Sequence, residues 1–161
     1  MKTLLFALMM FVAVSVSGQN NIVNNSQWNL ERYINDCCKE LNIDSVTIVI
    51  VPCNELIKGK YQGLMIKNNV NLFSIMVYHY LDYNDACLIV SHELVHVHQM
   101  ITGALNTTET NEVAFKGKLY NSSKESMIDP YEVEAHSIGL KLYGKYKRII
   151  YSAPPLPNRS F

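Results

Sequence analysis

The stretch from Ala86 to Ile101 constrains the fold more than any other part of the chain. Ala86, Ile89, Val90, Leu94, Val97 and Ile101 recur at helical spacing and make most of its circumference apolar. A helix of that kind crosses a core. It nevertheless carries Ser91-His92-Glu93-Leu94-Val95-His96, and polar groups left unpartnered in a core cost several kcal/mol. The fold must bring them a partner. Residues four apart on a helix lie roughly 5–6 Å apart at Cβ. His92 and His96 can therefore converge on one ion at the usual zinc–nitrogen distance of about 2.0–2.1 Å. Glu93, beside the first histidine, is placed to take a proton from a water on that ion and return it to a leaving amine. A chance His-Glu-His on a solvated face would not have such apolar neighbours. His98 lies about 200° around the helix from His96, so it cannot join the same ion and reads as a supporting or surface histidine.

An ion of this kind normally takes three protein ligands and keeps one position open. The third is sought in Asp129-Pro130-Tyr131-Glu132-Val133-Glu134-Ala135-His136, where Pro130 suits the first turn of a final helix over Tyr131–Tyr146. Glu132 and Glu134 lie about 200° apart on that helix, so only one can face the metal. Glu132 is favoured because it shares a face with Ala135, His136 and Gly139, where helices can approach closely. Glu134 is the alternative. His136, Tyr143 and Tyr146 are candidates to steady the ligands or stabilise an oxyanion.

H-E-x-x-H at His92–His96 followed by E-x-x-A at Glu132–Ala135 resembles the gluzincin metallopeptidases, over roughly Asn84 to Tyr143. Only 35 residues separate His96 from Glu132, which is similar to the minimal gluzincins rather than the large thermolysin-type enzymes. The resemblance implies one zinc ion on His92, His96 and Glu132, with Glu93 as general acid/base and a peptide or protein as substrate. His136 stands where many relatives carry an aspartate. The resemblance also implies an edge strand, here Leu72–Tyr80, that pairs with an extended substrate by main-chain hydrogen bonds. Some minimal gluzincins are closed by their own C-terminus, and the proline-rich tail 152–161 is the matching segment here. The alternative function is a non-catalytic or latent zinc-binding module that recognises a partner.

The remaining sequence frames this site. Lys2, an apolar run from Leu4 to Val16 and the small-residue exit Val16-Ser17-Gly18 have the layout of an export signal over 1–18, too short for a membrane anchor. A single domain over 19–151 is expected outside the membrane, periplasmic or extracellular, because no later run is long and apolar enough to span. Lys+Arg and Asp+Glu are both 14, so no basic surface exists to drive nucleic-acid binding. Hydrophobic residues at 48% supply a core and exclude a disordered linker.

Ser26 is placed to cap a helix over Gln27–Leu41. The β-branched run Ser45–Val51 reads as a buried strand stopped by Pro52, with further strands over Gly63–Lys67 and Leu72–Tyr80. Asp82 or Asn84 can cap a helix over Asp85–Ile101. A polar loop over Asn106–Glu112 and an extended Val113–Tyr120 precede the last helix. The expected fold is α+β: a small mixed sheet packed on an N-terminal helix, the zinc-binding helix and a C-terminal helix carrying the third ligand. Cys37, Cys38, Cys53 and Cys87 allow a disulfide from Cys37 or Cys38 to Cys53, or buried free thiols.

Overall fold

The computed structural model describes residues 19–57, 61–107, 112–121 and 129–150. The expected export signal over 1–18 and the tail 152–161 lie outside them. The elements are β1 (Asn21–Asn24), α1 (Glu31–Glu40), β2 (Thr47–Cys53), β3 (Gly63–Asn69), β4 (Leu72–Tyr78), α2 (Tyr83–Ile101), β5 (Leu105–Thr107), β6 (Glu112–Phe115), β7 (Lys118–Asn121) and α3 (Pro130–Ile150). The fold is α+β, as the element pattern predicts.

A four-stranded mixed sheet has the order β1-β2-β4-β3. β1, β2 and β4 run parallel, and β3 closes one edge antiparallel to β4. Strand alternation sends Ile48 and Ile50 of β2 and Phe73, Ile75 and Val77 of β4 to one face, where all five are fully buried. Tyr33, Ile34, Cys37 and Cys38 of α1 and Ala86, Val90, Leu94 and Val97 of α2 complete that core. α2 starts where Asp82 accepts a hydrogen bond from Asp85 N–H at 2.9 Å, satisfying one of the orphan amides of its first turn. Ser91 Oγ donates to the Cys87 carbonyl at 2.8 Å and meets Tyr33 Oη, which fastens α2 to α1 directly behind the histidine motif. A second sheet, β5-β6-β7, is antiparallel. Its β6–β7 hairpin turns through Lys116 and Gly117, both at positive φ (48° and 79°), the geometry of a two-residue turn that matches strand twist. Leu105 and Phe115 pack there on Tyr131 of α3.

Several expectations are corrected. Ser26 caps no helix: its hydroxyl is occupied by Asn24 Oδ1, and α1 begins four residues later than expected, with Leu30 at its cap. The segment read as a single extended run over Val113–Tyr120 is the β6–β7 hairpin. β4 is not an edge strand, because β2 and β3 flank it; the edge beside α2 is β3. All four cysteines are free thiols, so neither Cys37 nor Cys38 bonds to Cys53. Among the described residues, no helix is long and apolar enough to cross a membrane.

Candidate metal centre

Helices α2 and α3 approach closely at Gly139. A Cβ built there would stand 3.1 Å from both the backbone N and Cα of His92, so a larger residue would push the helices apart by a few tenths of an ångström. Ala135, fully buried, and Leu142 continue the packed face of α3. Two turns before Gly139, the same face delivers Glu132 to the histidines. His92 Nε2 lies 3.1 Å from His96 Nε2 and 3.1 Å from Glu132 Oε2, and His96 Nε2 lies 3.5 Å from that oxygen. Donor atoms about 2.05 Å from a tetrahedral ion stand about 3.3 Å apart. The three spacings bracket that edge, so the donor atoms are spaced for a zinc-sized ion. Among the described residues, these form a group that could hold a metal ion.

The charges respond to this crowding. Burial opposes ionisation of Glu132, yet hydrogen bonds from His92 and His96 and their positive charge hold its carboxyl down at about 2. Burial pulls the His96 imidazole down; bonding to Glu132 and the negative fields of Glu93 and Glu132 outweigh it and raise the pKa. For Glu93, burial pushes the carboxyl above the usual carboxylate range, opposed by His96, His92 and a hydrogen bond from the Met65 backbone.

Glu93 is only 7% exposed because β3 passes over it. A Cβ on Gly63 would fall 2.3 Å from Ile89 Cγ2 and 3.0 Å from Glu93 Oε1. Gly63→Ala is therefore expected to cost about 1–3 kcal/mol in chemical denaturation, since a branched carbon on a packed helix must move. Tyr78 N–H donates to the Gln62 carbonyl at 2.8 Å. In the antiparallel alternation, Leu64 and Ile66 then bond to β4, while Gly63, Met65 and Lys67 turn their backbone groups to the edge that Glu93 meets.

The other sequence candidates fall elsewhere. Glu134, the alternative third ligand, points away from the histidines to form an ion pair with Lys116 and accept from Gln99 Nε2 at 3.2 Å. His136 is exposed, because the packed face runs through Ala135, Gly139 and Leu142 and leaves it on the solvent side. Tyr143 shares the general direction of Glu132 but lies about 16 Å further along α3, at 1.5 Å per residue, with Lys147 over its ring. Tyr146 is further still and donates to Glu40 at 3.0 Å. The tyrosine that does reach the histidines is Tyr131, whose ring centre lies 6.3 Å from that of His96.

Sequence reasoning missed Gln99, which is fully buried and lies 2.8 Å from His96 Nδ1 through Oε1. Its signal was a polar residue at an otherwise apolar helix position, one turn past the second histidine, where burial demands a hydrogen-bond partner. A polar groove lined by Arg32, Asp36, Lys39 and Asp44 lies along α1, and none of the triad borders it. Compared with protein-family models, curated proteins and solved structures, the chain matches none.

Proposed function

We propose that the protein is an exported zinc-dependent metallopeptidase of the gluzincin kind, holding one zinc ion on His92, His96 and Glu132. The observation that carries this reading is the 3.1, 3.1 and 3.5 Å spacing of three donor atoms beside a buried carboxylate. Zinc, when bound, supplies an acidified water and polarises a substrate carbonyl. Glu93 takes the proton of the attacking water and delivers it to the leaving amine. Met65 N–H fixes the Glu93 carboxylate against β3. The outward backbone groups of Gly63 and Lys67, with the Met65 carbonyl, give an extended peptide a strand to pair with, so the scissile bond lies alongside Glu93. This role belongs to β3 rather than to β4.

A non-catalytic metal-binding module with the same ligands is the competing reading. It has no use for Glu93, a carboxylate that burial destabilises. The experiment is metal analysis combined with chelation. Purified protein is expected to carry one zinc per chain and to hydrolyse an unfolded protein substrate. A chelator is expected to stop hydrolysis and lower the melting temperature, and added zinc to restore both. Zinc-loaded protein inert against varied peptides would leave only the module; protein that takes up no zinc would end both readings.

A further inference from the structure

We propose that Gln99 is the positioning residue that presents His96 to the metal, through a side-chain amide whose orientation is dictated by α3. The inference rests on the metal-centre reading above, but not on peptide hydrolysis.

One end of the Gln99 amide lies 3.1 Å from the Tyr131 carbonyl oxygen and 3.2 Å from Glu134 Oε1. Both are acceptors only, so that end must be the NH2, which donates to each. The oxygen then faces His96 Nδ1 at 2.8 Å. An oxygen without a hydrogen requires a proton on that nitrogen. The Nδ1–H of His96 is thus specified, and in the neutral ring the lone pair sits on Nε2, the atom facing His92 and Glu132. Had the amide been free to flip, it would have donated to Nδ1 and favoured the wrong tautomer.

The support extends outward. Glu134 is held by Lys116, which reaches across from the β6–β7 turn. Tyr131, whose carbonyl receives the amide, immediately precedes Glu132, so one side chain ties a histidine ligand on α2 to the backbone beside the carboxylate ligand on α3. Gln99 is fully buried and all its bonds are internal, so water offers it no substitute partners. Ligand-orienting hydrogen bonds of this kind typically govern 10–100-fold in metal affinity.

The test compares full-length wild type with Gln99→Met and Gln99→Glu. Methionine keeps the length and removes the acceptor; glutamate keeps an acceptor for Nδ1–H. In long-range 1H–15N spectra of zinc-loaded wild type, His96 is expected to be bound through Nε2 with an Nδ1 proton protected from exchange. In Gln99→Met that proton should exchange freely, and zinc affinity by chelator competition should fall about 10–100-fold. Gln99→Glu should retain the protected proton and lose less zinc affinity than Gln99→Met, while its second oxygen, set against the Tyr131 carbonyl and Glu134, lowers the melting temperature. A wild-type ring bound through Nδ1, a Gln99→Met protein indistinguishable from wild type, or equal losses in both variants would each overturn the proposal. The wild-type spectrum decides even if Gln99→Met fails to fold. Failure to bind zinc at all would instead remove the metal-centre reading, and the Nδ1–H tautomer would still be expected in metal-free protein wherever the His96 ring is neutral.

Discussion

Replacing Glu93 with glutamine is expected to reduce hydrolysis by roughly 10²–10⁴-fold, the usual contribution of a general acid/base, while zinc stays bound at one ion per chain. Glutamine matches glutamate in size, and its amide oxygen can still accept the Met65 N–H, so the packing of β3 over α2 survives. What disappears is the capacity to take a proton from water. Stability should hold or rise slightly, because a buried carboxylate that burial pushes toward its neutral form is replaced by a neutral group. Turnover of an unfolded protein substrate, zinc content and thermal melting together read out the result. Undiminished hydrolysis with zinc bound would exclude Glu93 as the proton carrier. Loss of zinc along with activity would instead give Glu93 a structural part in the centre.

The largest stability effect is expected from Gly139→Val. The added Cβ would lie 3.1 Å from two backbone atoms of His92, and backbone in the middle of a helix cannot step aside as a side-chain tip can. Helices α2 and α3 must separate, and overpacking of this type costs about 3 kcal/mol. For a domain of this size that is roughly 6–12 °C in melting temperature. The substitution also moves Glu132, two turns away on the same face, relative to His92 and His96. Zinc affinity should therefore fall in the same variant although no ligand has been altered. Gly144→Val is the control: nothing lies within 4 Å of a Cβ there, so it should perturb only local helix propensity and leave zinc binding intact. Equal effects from the two substitutions would mean that helix propensity, not the α2–α3 approach, sets stability.

What could be read from sequence follows how local the determining physics is. The positions of His92, Glu93 and His96 on one buried helix depend on spacing within a few residues, and the choice of Glu132 over Glu134 depends on helical phase beside Ala135 and Gly139. β2 announces itself through its β-branched run. β1 does not: Asn21–Asn24 has two asparagines in four residues and is a strand because β2 supplies its parallel partner. The start of α1 was misplaced because Ser26 spends its hydroxyl on Asn24. The place of β4 inside the sheet depends on strand order, which no local pattern encodes. Gln99 finds its partners on α3, 32 and 35 residues away, and those distances exist only in the folded chain.

If His92, His96 and Glu132 hold a metal as proposed, their wide separation in sequence also orders events in time. His92 and Glu132 are 40 residues apart, and the whole β5-β6-β7 sheet is built from the chain between them. As the polypeptide emerges during synthesis, the two histidines appear together on α2, but two ligands hold a cation only loosely. Closing a loop of that length costs little more entropy than closing one half as long, so what gates capture is the docking of α3 through Ala135 and Gly139. On the proposed metal reading, tight retention of zinc would then signal that the last helix has been made and seated. A chain truncated before Pro130 would keep both histidines and still release its ion.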